Sequence, residues 1–213
     1  MLKIFGVPFS VNVNKVRYTA NYIGLDYELI KVDILKGEQK SQEFLAVNPA
    51  GKVPVMVDDN FILFESMAIS RYLASRHRSE LYPEDLKKRA RVDQWIDFCS
   101  IHLQMALNRI FFNRIIAPKI GIPKDEETLN AGLKLVEQFI PVLEGQLEKN
   151  EFVSGGFPSL SDTNLLAILD PVEAMGLNIN RYPNLYQWFQ NLKKEDFYTK
   201  CHLDYAETLK DLG

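Results

Sequence analysis

A proline held between two valines, Val53-Pro54-Val55, constrains this chain more than any other feature. It closes the run Asn48-Pro49-Ala50-Gly51-Lys52 and opens the apolar stretch Val55-Met56-Val57. Proline donates no backbone hydrogen bond, so it belongs at a sheet edge, a strand beginning or a turn. A second apolar run, Phe61 to Phe64, follows across Asp58-Asp59-Asn60, and Glu65-Ser66 then opens a helix. An unpaired backbone edge can hold an extended peptide. A helix start attracts anions. Side by side, the two would suit a small acidic peptide.

The chain around this stretch has a readable order. Leu2 to Gly6 is a short apolar strand, and Phe9 to Asn14 reads as a loop. Val16, Thr19, Ala20 and Ile23 give helical spacing from Asn14 to Ile23, with Gly24 as the stop. Tyr27 to Val32 is a second strand, so the opening is βαβ with parallel strands. Lys36 to Lys40 is a polar loop, and Ser41 caps a short helix to Val47. Ser66 to Arg76 is helical, which completes βαβαββα over residues 1–78.

Residues 79–85, containing Leu81-Tyr82-Pro83, read as a linker. Residues 86–213 show no strand pattern and predict an all-helical domain. Its first helix runs from Leu86 to about Ala117 and is apolar on several sides, so it packs on several sides. A second spans Asp125 to Lys149, with Pro141 as a candidate kink. Ser159-Leu160-Ser161-Asp162 is an S-x-x-D capping box before the apolar run Leu165 to Leu169, a helix expected at the centre of this domain. Pro183 to Lys193 and Glu195 to Leu209 finish the chain as helices.

Composition narrows the function. A net charge of -3 gives no electrostatic case for nucleic acid. No apolar run approaches the roughly 20 residues of a membrane span, and the N-terminal residues carry no signal-peptide pattern. Cys99 and Cys201 are far apart and form no CxxC, which favours a reduced, cytoplasmic setting. Cys99, on the apolar stripe of the long helix, reads as core. Cys201 beside His202 is a poor catalytic pair, because such partners are seldom adjacent in sequence. His77 and His102 have no ligand-spaced partners, so no metal site is expected.

Four motifs together carry a family resemblance: N-P-x-G-K-V-P (Asn48 to Pro54), F-E-S-x-A-I (Phe64 to Ile69), the Leu81-Tyr82-Pro83 linker and F-P-S-L-S-D (Phe157 to Asp162). The βαβαββα unit resembles the thioredoxin fold, and with the helical domain the whole chain resembles a cytosolic glutathione transferase. The positions of Ser10, Asn12, Lys40 and Lys52 are most similar to the serine-using theta, phi and delta classes. The resemblance implies that Ser10 is the catalytic serine. It implies that Lys40 and Lys52 reach the glycine carboxylate of glutathione. Val53 would pair its backbone with the cysteinyl unit, aimed by a cis peptide to Pro54, and Glu65 and Ser66 would bind the γ-glutamyl end. Gln39 departs from the pattern, standing where several of these classes carry histidine; glutamine can still donate a hydrogen bond.

The implied chemistry has a physical basis. A free thiol has a pKa of about 8.5, and its thiolate is the nucleophile. Lowering that value by two units takes roughly 2.7 kcal/mol of preference for the thiolate. One hydrogen bond to a charged group supplies about 1.5–3 kcal/mol. A hydroxyl at Ser10 could supply much of that shift, with a helix N-terminus adding to it. The plainer reading of Ser10 is a turn or N-cap residue; that of Lys40 and Lys52 is solvated surface charge.

The second substrate is expected to be an apolar electrophile in a pocket between the domains. Phe9, Val11, Gln104, Leu107, Phe111 and Phe112 are its candidate wall, against the plainer reading of helical aromatics as core. Glutathione would be a co-substrate, with no cofactor. The resemblance also implies a homodimer and a role in detoxification. A competing reading is a non-catalytic module of the same fold used for binding or assembly, disfavoured by the presence of Ser10, Val53, Pro54, Glu65 and Ser66 together. An isomerase of this family wants a serine-rich loop after the first strand, which Ser10-Val11-Asn12-Val13-Asn14 does not supply.

Overall fold

The computed structural model describes residues 1–210. In chain order the strands are β1 (Leu2–Gly6), β2 (Tyr27–Lys31), β3 (Val55–Asp58) and β4 (Phe61–Phe64). Helices α1 (Val11–Ile23), α2 (Gln42–Val47) and α3 (Ser66–Arg76) are interleaved with them. Then come α4 (Leu86–Asp97), α5 (Gln104–Phe111), α6 (Ala117–Lys119), α7 (Glu126–Leu147), α8 (Leu160–Leu169), α9 (Pro183–Leu192), α10 (Asp196–Thr199) and α11 (Tyr205–Lys210). The chain forms two compact units. One holds Met1–Pro83 and Glu195–Leu203; the other holds Glu84–Lys194 and the described residues from Asp204 onward.

The first unit is built on a mixed sheet in the order β2-β1-β3-β4. β1 runs parallel to β2 and antiparallel to β3, which is antiparallel to β4. Alternation splits the strand side chains between two faces. Ile4 and Met56 face α1 and α3, where they pack with Val13, Val16, Ala20, Ile69 and Leu73. Val55 turns the other way and packs with Val32 and Phe44 of the α2 side. α2 has Ser41 as its N-cap, with Ser41 Oγ accepting from Phe44 N at 3.2 Å.

Two segments differ from the sequence expectation here. α1 begins at Val11, not Asn14, because Ser10 caps it. The predicted terminal helix from Glu195 to Leu209 is instead α10 and α11, separated by residues 200–204. α10 belongs to the first unit. Tyr18, fully buried on α1, meets Phe197 edge-on at 6.1 Å and Tyr198 at 5.4 Å between ring centroids. Asn21 Nδ2 donates to Phe197 O at 2.9 Å.

Apart from an isolated bridge between Phe152 and Gly155, the regular secondary structure described in the second unit is helical. The stretch expected as one long helix is helical from Leu86 to Lys119, but it changes pitch twice. Phe98–Leu103 and Phe112–Ile116 are π-helical, with Gln104 N donating to Cys99 O and Ala117 N to Phe112 O. α7 carries Pro141 within it and continues beyond it. α5 and α7 approach closely at Gly132, where a side chain would stand 2.9 Å from the Ala106 carbonyl oxygen. α8 is buried on every residue, in keeping with the apolar run Leu165 to Leu169, and its polar first turns are buried as well.

α8 is fixed at its start by the predicted capping box. The Asp162 carboxylate accepts from Ser159 N at 2.9 Å, Ser159 Oγ at 2.8 Å, Val153 N at 2.9 Å and Trp188 Nε1 at 3.1 Å. Burial nevertheless pushes its carboxyl up to about 6, the four donors opposing that shift. Cys99 is buried, in keeping with a core role.

Candidate functional site

The residues singled out by sequence gather on three segments of the first unit. Ser10 lies in the turn between β1 and α1 with extended backbone, φ -74° and ψ 122°. Its N–H donates to Val7 O at 3.1 Å, and its Oγ accepts from Val13 N at 3.4 Å. That contact uses an oxygen lone pair. The hydroxyl hydrogen is not consumed by it and remains available to a donor role. Ser10 is half-buried, as are its neighbours Phe9 and Val11.

The second segment joins Gln39 and Lys40 to the turn before β3. Asn48, 2% exposed, builds that turn: its Nδ2 donates to Lys52 O at 2.7 Å and its Oδ1 accepts from Ala50 N at 3.0 Å. Gly51 has φ +59°, and a Cβ there would lie 3.0 Å from Gln39 O and 3.1 Å from Lys40 Nζ. Only glycine suits that backbone and that space. The turn therefore brings the Lys40 ammonium against Gly51, next to Lys52, and both lysines are exposed. Gln39 Nε2 donates to Ile34 O at 3.3 Å, while its Oε1 is buried with no partner among the described residues. One of the two N–H groups of the amide expected to face a ligand is thus spent on Ile34 O.

Past this turn the Val53–Pro54 peptide is cis. The ladder with β1 starts at Val55, opposite Phe5. Val53 makes no backbone hydrogen bond among the described residues, so its N–H and C=O form a free edge ahead of a fully paired strand.

Glu65 and Ser66 form the third segment. Glu65 precedes α3 with φ 72° and ψ 109°, a backbone region that non-glycine residues rarely occupy. Such conformations persist where the surroundings hold them and cluster at ligand sites. α3 has no side-chain cap. Its first N–H groups are left to solvent or to an anion.

The candidate electrophile wall is less uniform. Leu107 is buried, Gln104 and Phe111 are half-buried, and Phe112 is 44% exposed. A separate cavity of about 340 Å³ lies under α2, lined by residues including Phe5, Ile30, Val32, Phe44 and Val57. None of the segments just described contributes its named residues to it. Sequence reading missed the structural part played by Asn48 in this region: the residue stands in a motif named above, and Asn before Pro-x-Gly is a turn signal.

Comparison with known proteins decides the family. Residues 1–75 match the glutathione S-transferase N-terminal domain model, and residues 98–196 match the C-terminal domain model. The chain belongs to the glutathione S-transferase family. Glutathione S-transferase 1 of Zea mays is 31% identical over 197 residues, covering 90% of this chain and 91% of the relative. Among solved structures, maize glutathione S-transferase I in complex with an atrazine glutathione conjugate has a TM-score of 0.87 at 30% identity, covering 98% of each chain. A theta-class glutathione S-transferase from Xanthomonas axonopodis pv. citri with glutathione bound has a TM-score of 0.89 at 26% identity, covering 96% of this chain and 98% of that one. The enzyme is a glutathione transferase whose N-terminal unit is thioredoxin-like and whose other unit is helical. Among the described residues no helix is long and apolar enough to cross a membrane.

Proposed function

We propose that this glutathione transferase holds glutathione along the free Val53 edge and activates its thiol through the Ser10 hydroxyl. The thiolate then attacks a small apolar electrophile. The observation that carries this reading is the state of Ser10: its oxygen accepts from Val13 N, so its hydrogen is left for the sulfur. Donating to the thiolate favours the charged form without any proton transfer by the serine. The thiol proton passes to solvent and the sulfur bonds to the electrophilic centre: an aryl halide loses halide ion, an epoxide opens its C–O bond to an alkoxide, and an enone gives an enolate, the last two then taking up a proton from solvent.

The remaining contacts follow from charge and geometry. Lys40 and Lys52 suit the glycine carboxylate, the uncapped start of α3 suits the γ-glutamyl carboxylate, and Glu65 suits its ammonium. With one of its two amide N–H groups engaged by Ile34 O, Gln39 has a single donor left for the glycine end. The maize relative seen with an atrazine glutathione conjugate supports conjugation as the reaction type.

Calorimetric titration with glutathione, followed by glutathione depletion with a panel of aryl halides, epoxides and enones, tests the proposal. Binding without consumption of glutathione by any of them would favour a non-catalytic module. The same reading includes a cytoplasmic detoxification enzyme that works as a homodimer. In support of pairing, Phe61, Ile62 and Phe64 are all exposed on the edge strand β4. Light scattering should give twice the chain mass, and a monomer at micromolar concentration removes that element.

A further inference from the structure

Arg17 lies in the middle of α1 and is only 9% exposed. A guanidinium that deep normally faces a carboxylate, because an unpaired buried charge is costly. Here its hydrogen bonds end on three neutral acceptors. Nη1 donates to Pro8 O at 3.2 Å and to Asn14 Oδ1 at 3.0 Å, and Nε donates to Tyr27 Oη at 3.4 Å. The three partners come from the turn after β1, from α1 itself and from β2. Burial pushes the Tyr27 hydroxyl above its ordinary value, so it is a neutral acceptor for Arg17.

The placement connects Arg17 to the site. Arg17 is seven residues after Ser10, two turns on and on nearly the same face of the helix. Long helical side chains lean toward the N-terminus, and this one reaches back as far as Pro8. Pro8 has no N–H, so its carbonyl is its one backbone hydrogen-bonding group. Ser10 is two residues further on; its backbone is tied by Ser10 N to Val7 O at 3.1 Å and by Asn14 N to Ser10 O at 2.9 Å, and its side chain only by Val13 N to Ser10 Oγ. The Val13 contact, at 3.4 Å, is long and weakly restraining.

We propose that Arg17 is a positioning residue for the reaction, clamping the Pro8 carbonyl so that the Phe9–Ser10 segment presents the serine hydroxyl to the sulfur of glutathione. Asn14 and Tyr27 hold the guanidinium for that task. The inference rests on the reading of Ser10 as the donor to the thiolate. A hydrogen bond weakens steeply with misalignment, so a small drift of the hydroxyl loses thiolate stabilisation. The contacts expected to hold the tripeptide lie on other segments and are left intact.

The test is a cycle of Arg17→Met, Ser10→Ala and the double variant. Three quantities are read in each: the pH profile of kcat/KM, the ultraviolet thiolate titration of bound glutathione, and the KM for glutathione. Arg17→Met should move the thiol titration upward by about one pH unit and lower kcat about threefold near neutrality, approaching about tenfold at lower pH, with KM changed less than about twofold. In the Ser10→Ala background it should move the titration no further, because Arg17 acts through the serine. Arg17→Lys keeps the charge but not the fork, and should restore only part of the profile.

A thiol titration unmoved by Arg17→Met, or an equal shift with and without Ser10, overturns the proposal. So does a fall in melting temperature as the only effect. If Arg17→Met does not fold, Tyr27→Phe takes its place: removing one acceptor should shift the titration the same way by less, and no shift overturns the inference. If Ser10→Ala itself leaves the titration unchanged, the reading of Ser10 fails. If Ser10→Ala shifts it and the Arg17 variants do not, the clamp alone fails.

Discussion

Val13 N donates to Ser10 Oγ at 3.4 Å across the first turn of α1. This one contact joins two descriptions of Ser10, a helix cap and a thiol activator. An N-cap serine accepts with its oxygen and has its own hydrogen to give. The helix cap therefore uses a lone pair of the serine oxygen and leaves the O–H for the chemistry.

Ser10→Ala removes both roles, and they separate by measurement. Loss of the donor should lower kcat/KM by about tenfold to a hundredfold near neutral pH, as expected for a hydrogen bond to a charged group. Glutathione affinity should stay within about threefold, because the tripeptide contacts lie elsewhere. Loss of the cap should lower stability by about 1 kcal/mol, read from a urea midpoint. Wild-type activity in this variant would assign the thiol activation to another group.

The two exposed lysines beside Gly51 should act on affinity, not on turnover. Each solvent-exposed pairing is worth about 0.2–1 kcal/mol, so Lys40→Ala with Lys52→Ala should weaken glutathione binding about twofold to thirtyfold. The loss should shrink as salt rises. Glutathione esterified at its glycine end should bind both proteins alike, and calorimetry with the two ligands checks this. A loss of equal size for the ester would move the lysines away from the glycine carboxylate.

Gly51→Ala probes the turn itself. Its φ of +59° strains any other residue, and the new methyl meets Gln39 O at 3.0 Å. The expected cost is about 1–2 kcal/mol of stability. Because the crowding falls on Gln39 and Lys40, glutathione binding should weaken further than in the lysine variants alone. A chevron for folding and a glutathione titration report the two effects separately.

Asp162 predicts an unusual pH response. Burial raises its folded pKa to about 6, above the value of 3.8 for a free side chain. The folded state therefore binds the proton more tightly than the unfolded state. The stability from this group is largest below about pH 4 and declines as pH rises toward 6. The full change is at most roughly 3 kcal/mol. Asp162→Asn removes the titration, so its penalty should be larger at pH 4.5 than at pH 7 in urea melts. The opposite trend would show that the four donors outweigh burial. Ser159→Ala, which removes the cap partner, should cost about 1–2 kcal/mol at either pH.

Much of the fold was legible because its signals are local. Gly24 and Ser41 mark helix ends, Asp58-Asp59-Asn60 marks the β3–β4 turn, and Ser159 with Asp162 marks the start of α8. The start of α1 was less legible: Val11, Asn12, Val13 and Asn14 have weak helix propensity, and the cap and core packing outweigh it. The site was legible as three motifs, but the spatial facts were not. Gln39 spends one of its two amide N–H groups on Ile34 O, and Arg17 is buried against neutral acceptors from two other segments. Both depend on residues that only folding brings near. Likewise, nothing in the local pattern of residues 195–203 ties them to the first unit.

That return of the chain has a consequence for biosynthesis. A ribosome delivers all four strands of the first unit before it has made Phe197 and Tyr198, which cover Tyr18. The nascent sheet must wait, with an aromatic ring on α1 still unclad, for more than a hundred further residues to emerge. A piece cut after Pro83 would keep the whole sheet and still lack its last aromatic cladding. The helical unit is thus also the delivery interval for the final layer of the unit that precedes it.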